Sequence, residues 1–303
     1  MWDILGLGVV SVDELLYVEH YPPPDSKAQV LARDRQGGGL TGTALVAAAR
    51  LGARCAFAGV LGDDELSQHA ISELEREGID CSPTLRRPEA RPCHSTVIVD
   101  RTTGSRNIFF TREGVMTRAP DEIDGDLIAR CRVLFVDSLD LDSALRMVTL
   151  AASLGVPVVS DLEFREYAHA EELLAHVQHL ICAESFALRW TGASSAEEAV
   201  DILARTKRAC TAATAGEQGC WYAVDGGPVR RQPAFRVPVV DTTGCGDVFH
   251  GAYAACLARG LDVAEAICFA SATAALKATR PGGRAGIPDR ATVEEFLGST
   301  QER

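Results

Sequence analysis

The sequence predicts an α/β fold, a mostly parallel sheet covered by helices on both faces, with a small β appendage. Short apolar runs at about 54–60, 132–137, 157–160, 178–182 and 209–214 alternate with stretches of helical character, the pattern of a parallel sheet buried on both sides. Outside that alternation, two β-prone segments meet at the turn around Thr102-Thr103-Gly104, which reads as a hairpin. The 303 residues carry no repeat, low-complexity tract or linker, so one domain is expected, since domains of this class commonly reach this length.

The elements follow in order. An apolar run from Ile4 to Val12 suits a strand, and Asp13 interrupts it. Leu15-Leu16-Tyr17-Val18 resumes the run until Tyr21-Pro22-Pro23-Pro24 stops it. Lys27 to Arg33 alternates as a further strand. Gly37-Gly38-Gly39 leads into a helical stretch from Thr43, with Gly52 placed where a helix end favours a left-handed residue. The strand at 54–60 precedes the turn Gly62-Asp63-Asp64 and a helix at about 65–78. The hairpin joins Ser95-Thr96-Val97-Ile98-Val99 to Asn107-Ile108-Phe109-Phe110. Three helices, about 246–259, 262–279 and 290–298, end the chain, and the appendage draws on segments near 15–35 and 91–112.

Composition excludes several classes. A net charge of −12 disfavours nucleic acid or an anionic membrane as main partner. No apolar stretch reaches the roughly 18 residues of a membrane helix. The ten cysteines form no C-x-x-C pair, and several, such as Cys55 and Cys131, sit in apolar runs as small hydrophobes. With Met1-Trp2-Asp3-Ile4 lacking the basic region of a signal peptide, a reducing, cytoplasmic location is expected.

Weak motifs drop out on physical grounds. Gly6-Leu7-Gly8 is followed by β-prone residues and three prolines, whereas a dinucleotide fingerprint must open a helix. No P-loop exists, because Lys27, Lys207 and Lys277 never follow a glycine. His176 and His179 are spaced for one helix face but fall where a helix runs into a strand. The strong signal is Val239-Val240-Asp241-Thr242-Thr243-Gly244-Cys245-Gly246-Asp247-Val248-Phe249-His250-Gly251-Ala252. A strand is expected to enter a glycine turn there and a long helix to leave it, buried along Phe249, Ala252, Tyr253, Cys256 and Leu257. Backbone amides at Gly244, Cys245 and Gly246 then form an anion site at the helix N-terminus. Asp247 in the first turn suits a general base, though capping explains a carboxylate there equally well.

The whole string resembles the second signature of the ribokinase-like (PfkB) carbohydrate kinases, D-T-T-G-A-G-D-x-F-x-G, with Cys245 in place of alanine. The likeness spans nearly the whole chain and implies a three-layer α/β/α fold with a β lid. It makes Asp247 the catalytic base and Gly244, Cys245 and Gly246 the anion hole. Asp13, Gly38 and Gly39 match the sugar-binding segments, and Thr43 falls where many members carry an asparagine. Asp161-x-Glu163-x-Arg165 resembles the D-x-N-x-R stretch, with Arg165 on the substrate. Thr214-Ala215-Gly216 resembles the T-x-G nucleotide segment, and Ser271 falls with it on the nucleotide side. The N-x-x-E positions fall on Ala183 and Phe186, leaving Glu184 beside them for magnesium. Asp241, Thr243, Gly282 and Gly286 match a monovalent-cation site, where Arg284 stands as a rival cation. The stretch from Gln232 to Asp289 resembles the sulfofructose- and fructose-type members, as does Lys27. The sulfonate arginine falls instead on Leu139, and a sulfonate wants cationic donors.

The expectation is therefore an ATP-dependent kinase of a small sugar, using Mg2+ and K+. A nucleoside kinase of the same family and a non-catalytic sugar-binding regulator are the alternatives. The short β segments, with Leu15, Tyr17, Val30, Val97, Ile98 and Phe109 needing cover, imply a homodimer through the lid.

Overall fold

A computed structural model describes residues 1–138, 141–163 and 169–301. The first half runs β1 (Trp2–Leu7), β2 (Ser11–Val18), β3 (Ala32–Gly38), α1 (Leu40–Arg50), β4 (Cys55–Phe57), β5 (Val60–Leu61), α2 (Glu65–Arg76), β6 (Leu85–Arg86), β7 (Cys93–Asp100) and β8 (Arg106–Thr111). It continues with α3 (Gly125–Ile128), β9 (Cys131–Asp137), α4 (Leu141–Leu154), β10 (Val158–Asp161), α5 (Ala170–His176), β11 (His179–Ala183), α6 (Glu184–Thr191), α7 (Ala196–Ala204) and β12 (Cys210–Thr214). The chain ends with β13 (Cys220–Val224), β14 (Arg230–Gln232), α8 (Cys245–Ala258), α9 (Val263–Lys277) and α10 (Arg290–Gln301).

Eight strands form the main sheet in the order β14-β13-β12-β11-β10-β9-β1-β4. All pairs from β12 to β4 are parallel, while β13 and β14 are antiparallel edges. Alternate side chains divide between two cores. Ile4, Phe57, Val133, Phe135, Val159 and Ile181 pack with α1, α8 and α9. Leu5, Leu7, Leu134, Val136, Val158 and Leu180 pack with α4, α5 and α7. This period of two produces the expected three layers.

Four strands form the appendage, in the order β3-β2-β7-β8. The opening run is not one strand. It breaks at Gly8-Val9-Val10, because the Asp137 carboxylate at the end of β9 accepts the Val9 amide at 2.7 Å and lies where any side chain on Gly8 would stand. Asp13 consequently belongs to the small sheet. The strand expected at Lys27 to Arg33 starts only at Ala32 and runs through Gly38, because its ladder to β2 is set by Tyr17↔Ala32 through Ser11↔Gly38. Val239 and Val240 form no strand. Both are exposed, and the Val240 and Asp241 amides donate instead to the Ala278 carbonyl at 2.8 and 3.1 Å. Helix α8 is buried nearly all round rather than along one face. Gly251 permits this, since a Cβ there would collide with the Ala44 carbonyl of α1.

Candidate active site

The carboxyl ends of the parallel strands face the small sheet across a cleft of about 950 Å³, a size that suits a small organic ligand. The small sheet presents one face of its pleat to this cleft. Ser11, Asp13, Leu15 and Tyr17 from β2, Ser95, Val97 and Val99 from β7, and Arg106, Ile108 and Phe110 from β8 all line it. Register explains the set, because Asp13↔Ser95↔Phe110 and Leu15↔Val97↔Ile108 stand side by side across the strands. The opposite wall carries Gly39, Leu40, Asp241, Thr243, Gly244, Asp247, Gly282 and Gly283. Sheet order changes direction between β1 and β9, the switch point at which open α/β sheets bind ligands.

Asp13 is held on β2 by the Ser11 hydroxyl at 3.0 Å. Burial raises its carboxyl above the ordinary range, against the lowering effect of the Ser11 and Ser95 hydroxyls. Gly38 stands against it, because a Cβ there would overlap the Asp13 carboxylate and approach the Ser11 hydroxyl at 2.5 Å. Gly39, with φ of 86°, starts α1 in a conformation that side chains rarely adopt.

Gly244 caps α8 with a left-handed φ of 71°, which turns the chain so that the helix N-terminus opens on the cleft. The Gly244, Gly246 and Asp247 amides have no acceptor among the described residues, whereas Cys245 donates to the Thr242 carbonyl at 3.2 Å. Of the three amides expected to form an anion hole, one is therefore engaged within the protein. The turn itself occupies the Cys245 amide, and Asp247 supplies the further free donor. Asp247 lies in the first turn, its carboxyl raised well above the usual range by burial and by the nearby Asp161 charge. One turn on, buried His250 bonds through its two ring nitrogens to the carbonyls of Gly246 at 2.8 Å and Ile181 at 3.0 Å, fixing α8 against β11.

This arrangement puts two carboxylates and a turn of free amides around one cleft, in the order along the chain that a family model for the pfkB family carbohydrate kinases matches over residues 7–290. The chain belongs to that family. It is therefore a phosphotransferase acting on a sugar hydroxyl. Fructokinase-1 of Zea mays is 30% identical over 318 residues, covering 95% of this chain and 97% of the relative. A crystal structure from Agrobacterium tumefaciens superposes with a TM-score of 0.92 at 32% identity, covering 100% of this chain and 99% of that one. The Arabidopsis thaliana ribokinase complexed with ribose and ATP superposes with a TM-score of 0.84 at 21% identity, covering 98% of each chain.

The other expected site residues of this kinase divide between the cleft wall, which holds Asp241, Thr243 and Gly282, and positions away from it. Lys27 is exposed in the connection between β2 and β3 and does not line the cleft. Thr43 is buried in α1, and its hydroxyl accepts from the Arg284 guanidinium at 3.3 Å rather than facing the cleft. Arg165 and Leu139 lie outside the described residues. Glu184 begins α6 and Thr214 ends β12, paired through Ala183↔Thr214, so both stand at the carboxyl edge with Gly216 but beyond the cleft. Ser271 donates its hydroxyl to the Ile267 carbonyl of its own helix at 2.8 Å. Asp241 ties its loop together, with Oδ1 accepting from Thr243 and Oδ2 from the Gly282 amide at 2.8 Å. Gly286 packs on the Lys277 carbonyl, where a Cβ would come within 2.6 Å. Sequence reasoning missed Ser11, Ser95 and Asp137. Once Asp13 is placed on a paired strand, the period of two exposes the first two. Asp137 is visible only through its contacts, the Val9 amide and the Thr41 hydroxyl at 2.8 Å.

Proposed function

We propose that this kinase transfers the γ-phosphoryl group of ATP to a hydroxyl of a small fructose- or ribose-type sugar held beneath the small sheet, which acts as a lid on a single catalytic domain. The observation that carries the reading is the placement of Asp13 and Asp247 on opposite walls of one cleft, with free amides beside Asp247. Asp13 accepts hydrogen bonds from sugar hydroxyls. Asp247 takes the proton of the attacking hydroxyl, and its raised pKa brings a carboxylate closer to working pH as a base. The Gly244, Gly246 and Asp247 amides and the N-terminus of α8 hold the transferring phosphoryl oxygens. Catalysis of this kind is chiefly positioning and charge stabilisation. Lid strands exclude water that would otherwise take the phosphoryl group.

The Arabidopsis relative is complexed with ATP, which supports ATP as the donor here. Among the described residues no three His, Cys, Asp or Glu side chains converge as a metal site. A magnesium ion fits such a surface when phosphates supply most of its ligands, with Glu184 at the first turn of α6 as this chain's contribution; bound there, it would neutralise phosphate charge. Ten unpaired cysteines agree with a reducing compartment such as the cytoplasm, and among the described residues no helix is long and apolar enough to cross a membrane.

Turnover of ATP with hexoses, pentoses and nucleosides, read by mass spectrometry of the product, tests the reading. Product from a pentose or hexose supports it, and product from nucleosides alone replaces it. Nucleosides belong in the panel because Val97, Val99, Ile108 and Phe110 form an apolar strip on the cleft wall. The homodimer reading now rests on Ile108, Phe109 and Phe110, exposed by 52%, 54% and 62%. Val97 and Leu15 are already buried within the chain by the cleft-facing pleat. Light scattering is expected to show a species twice 32.3 kDa, reduced by Phe109→Glu.

A further inference from the structure

Lys277 is the charged group this reading leaves without a role. It ends α9 with 0% exposure, although a lysine is almost never fully buried without a partner. Its ammonium donates to the main-chain carbonyl of Asp241 at 3.0 Å. That carbonyl opens the loop from Asp241 to Gly244, whose far end caps α8. The loop is stiffened by Asp241 itself, which gathers the Thr243 amide and hydroxyl and, from the facing loop, the Gly282 amide. These are the residues that the family likeness assigns to a monovalent cation.

The residues present do not fit that ion. A potassium ion is bound through oxygen atoms, and one oxygen among the assigned residues, the Asp241 carbonyl, already accepts from the buried Lys277 side chain at 3.0 Å. Placing a second cation on the same oxygen sets two like charges in contact. Arg284, the rival cation suggested by the sequence, points elsewhere. Its guanidinium donates to the Gly38 carbonyl at 2.7 Å and to Thr43 at 3.3 Å.

We infer that Lys277 is a built-in replacement for the monovalent cation, so that this enzyme holds the loop before α8 with a covalently attached charge and works without potassium. The inference rests on the kinase reading for its activity assay. Lys277 acts as a positioning residue, through the loop that aims the Gly244 and Gly246 amides at the transferring group. A cation placed behind a phosphoryl-binding turn also lowers the cost of gathering negative charge there.

The test compares the wild-type protein and Lys277→Ala in potassium, sodium and choline chloride at matched ionic strength. Wild-type rates and melting temperatures are expected to be the same in all three salts. Lys277→Ala is expected to lose about 10²-fold in kcat in choline, the size of effect that follows removal of one electrostatic donor. Potassium or ammonium ions should restore part of that loss with saturation, and potassium should raise the variant's melting temperature where choline does not. A merely structural lysine would give a variant indifferent to the identity of the salt. Saturable activation of the wild-type enzyme by potassium, or a folded Lys277→Ala that ignores cations, overturns the inference. Should Lys277→Ala fail to fold, the wild-type salt comparison still decides. Absence of any phosphorylated product from the sugar panel counts against the kinase reading instead, and the melting comparison continues to report on Lys277.

Discussion

Replacing Asp247 by asparagine separates chemistry from architecture at this site. The two side chains have the same shape, so the floor of the cleft is kept. What disappears is the proton acceptor, and loss of a general base costs about 10²–10⁴ in rate, or about 3–5 kcal/mol of barrier. The structure also fixes the sign of the stability change. Burial and the Asp161 charge raise the Asp247 carboxyl, so the folded chain holds its proton to higher pH than the unfolded chain does. Such a group loses stability as pH rises from its unfolded value toward its folded one, and above that window the ionised form is a net burden. The α8 N-terminus offsets this by only about 0.3–1 kcal/mol. Asp247→Asn is therefore expected to be nearly inactive and no less stable at neutral pH, with sugar and ATP affinity kept. Coupled-assay kinetics with calorimetry of both ligands measure the first and third outcomes, and thermal melting measures the second. In the wild type, the acid limb of kcat/KM should lie above the ordinary aspartate value of about 3.9. A variant with a tenth of wild-type activity, or one losing activity only through a raised KM, would refute the assignment.

Three further outcomes follow from the geometry. Asp13→Ala should weaken sugar binding far more than nucleotide binding under the proposed reading, because Asp13 stands on β2 across the cleft from Asp247 and its amides; calorimetry with each ligand checks it. Gly251→Ala should destabilise the fold by about 1–3 kcal/mol, since the new methyl meets the Ala44 carbonyl of α1 and backbone must move; chemical denaturation reads the loss. His179, buried with its Nδ1 at 2.8 Å from the Tyr253 hydroxyl, is pushed down by burial from 6.5 to about 4. The folded form then resists protonation, and up to about 3 kcal/mol of stability is lost as pH falls from 6.5 toward 4. Melting scans of the wild type and His179→Phe across that range should show the slope in the first and a shallower one in the second.

The sequence foretold best the parts whose information is local. Helix α8 and its turn were legible because Gly244 supplies the positive φ of the turn and Phe249, Ala252, Tyr253, Cys256 and Leu257 follow at helical spacing, although the first turn is poor in helix formers. The parallel strands were legible from apolar runs whose two faces are both buried. The break in the opening run was not legible because Gly8-Val9-Val10 is as apolar as its neighbours, and the break comes from Asp137, distant in sequence. Val239 and Val240 have strand-forming side chains, yet the Ala278 carbonyl takes their segment's amides. Lys27 and Thr43 show the limit of positional likeness. Each falls where the family likeness leads one to expect a substrate contact, but one side chain is exposed and the other holds Arg284. The residue types of the turn do not show that the Thr242 carbonyl closes it onto the Cys245 amide.

The Arg284 contacts have a consequence for how the molecule is made. The last residue of β3 is held through its carbonyl by a guanidinium 246 residues downstream, and Arg50 at the end of α1 reaches the Arg284 and Ile287 carbonyls at 2.8 and 3.2 Å. Strands β1 to β12 are synthesised before the segment that carries Arg284, and a single domain folds as a unit. The wall beneath the lid lacks these ties until the segment after α9 emerges, and so long a separation makes them slow to form. The growing polypeptide therefore carries Asp13 early but gains a braced cleft only with its final segment.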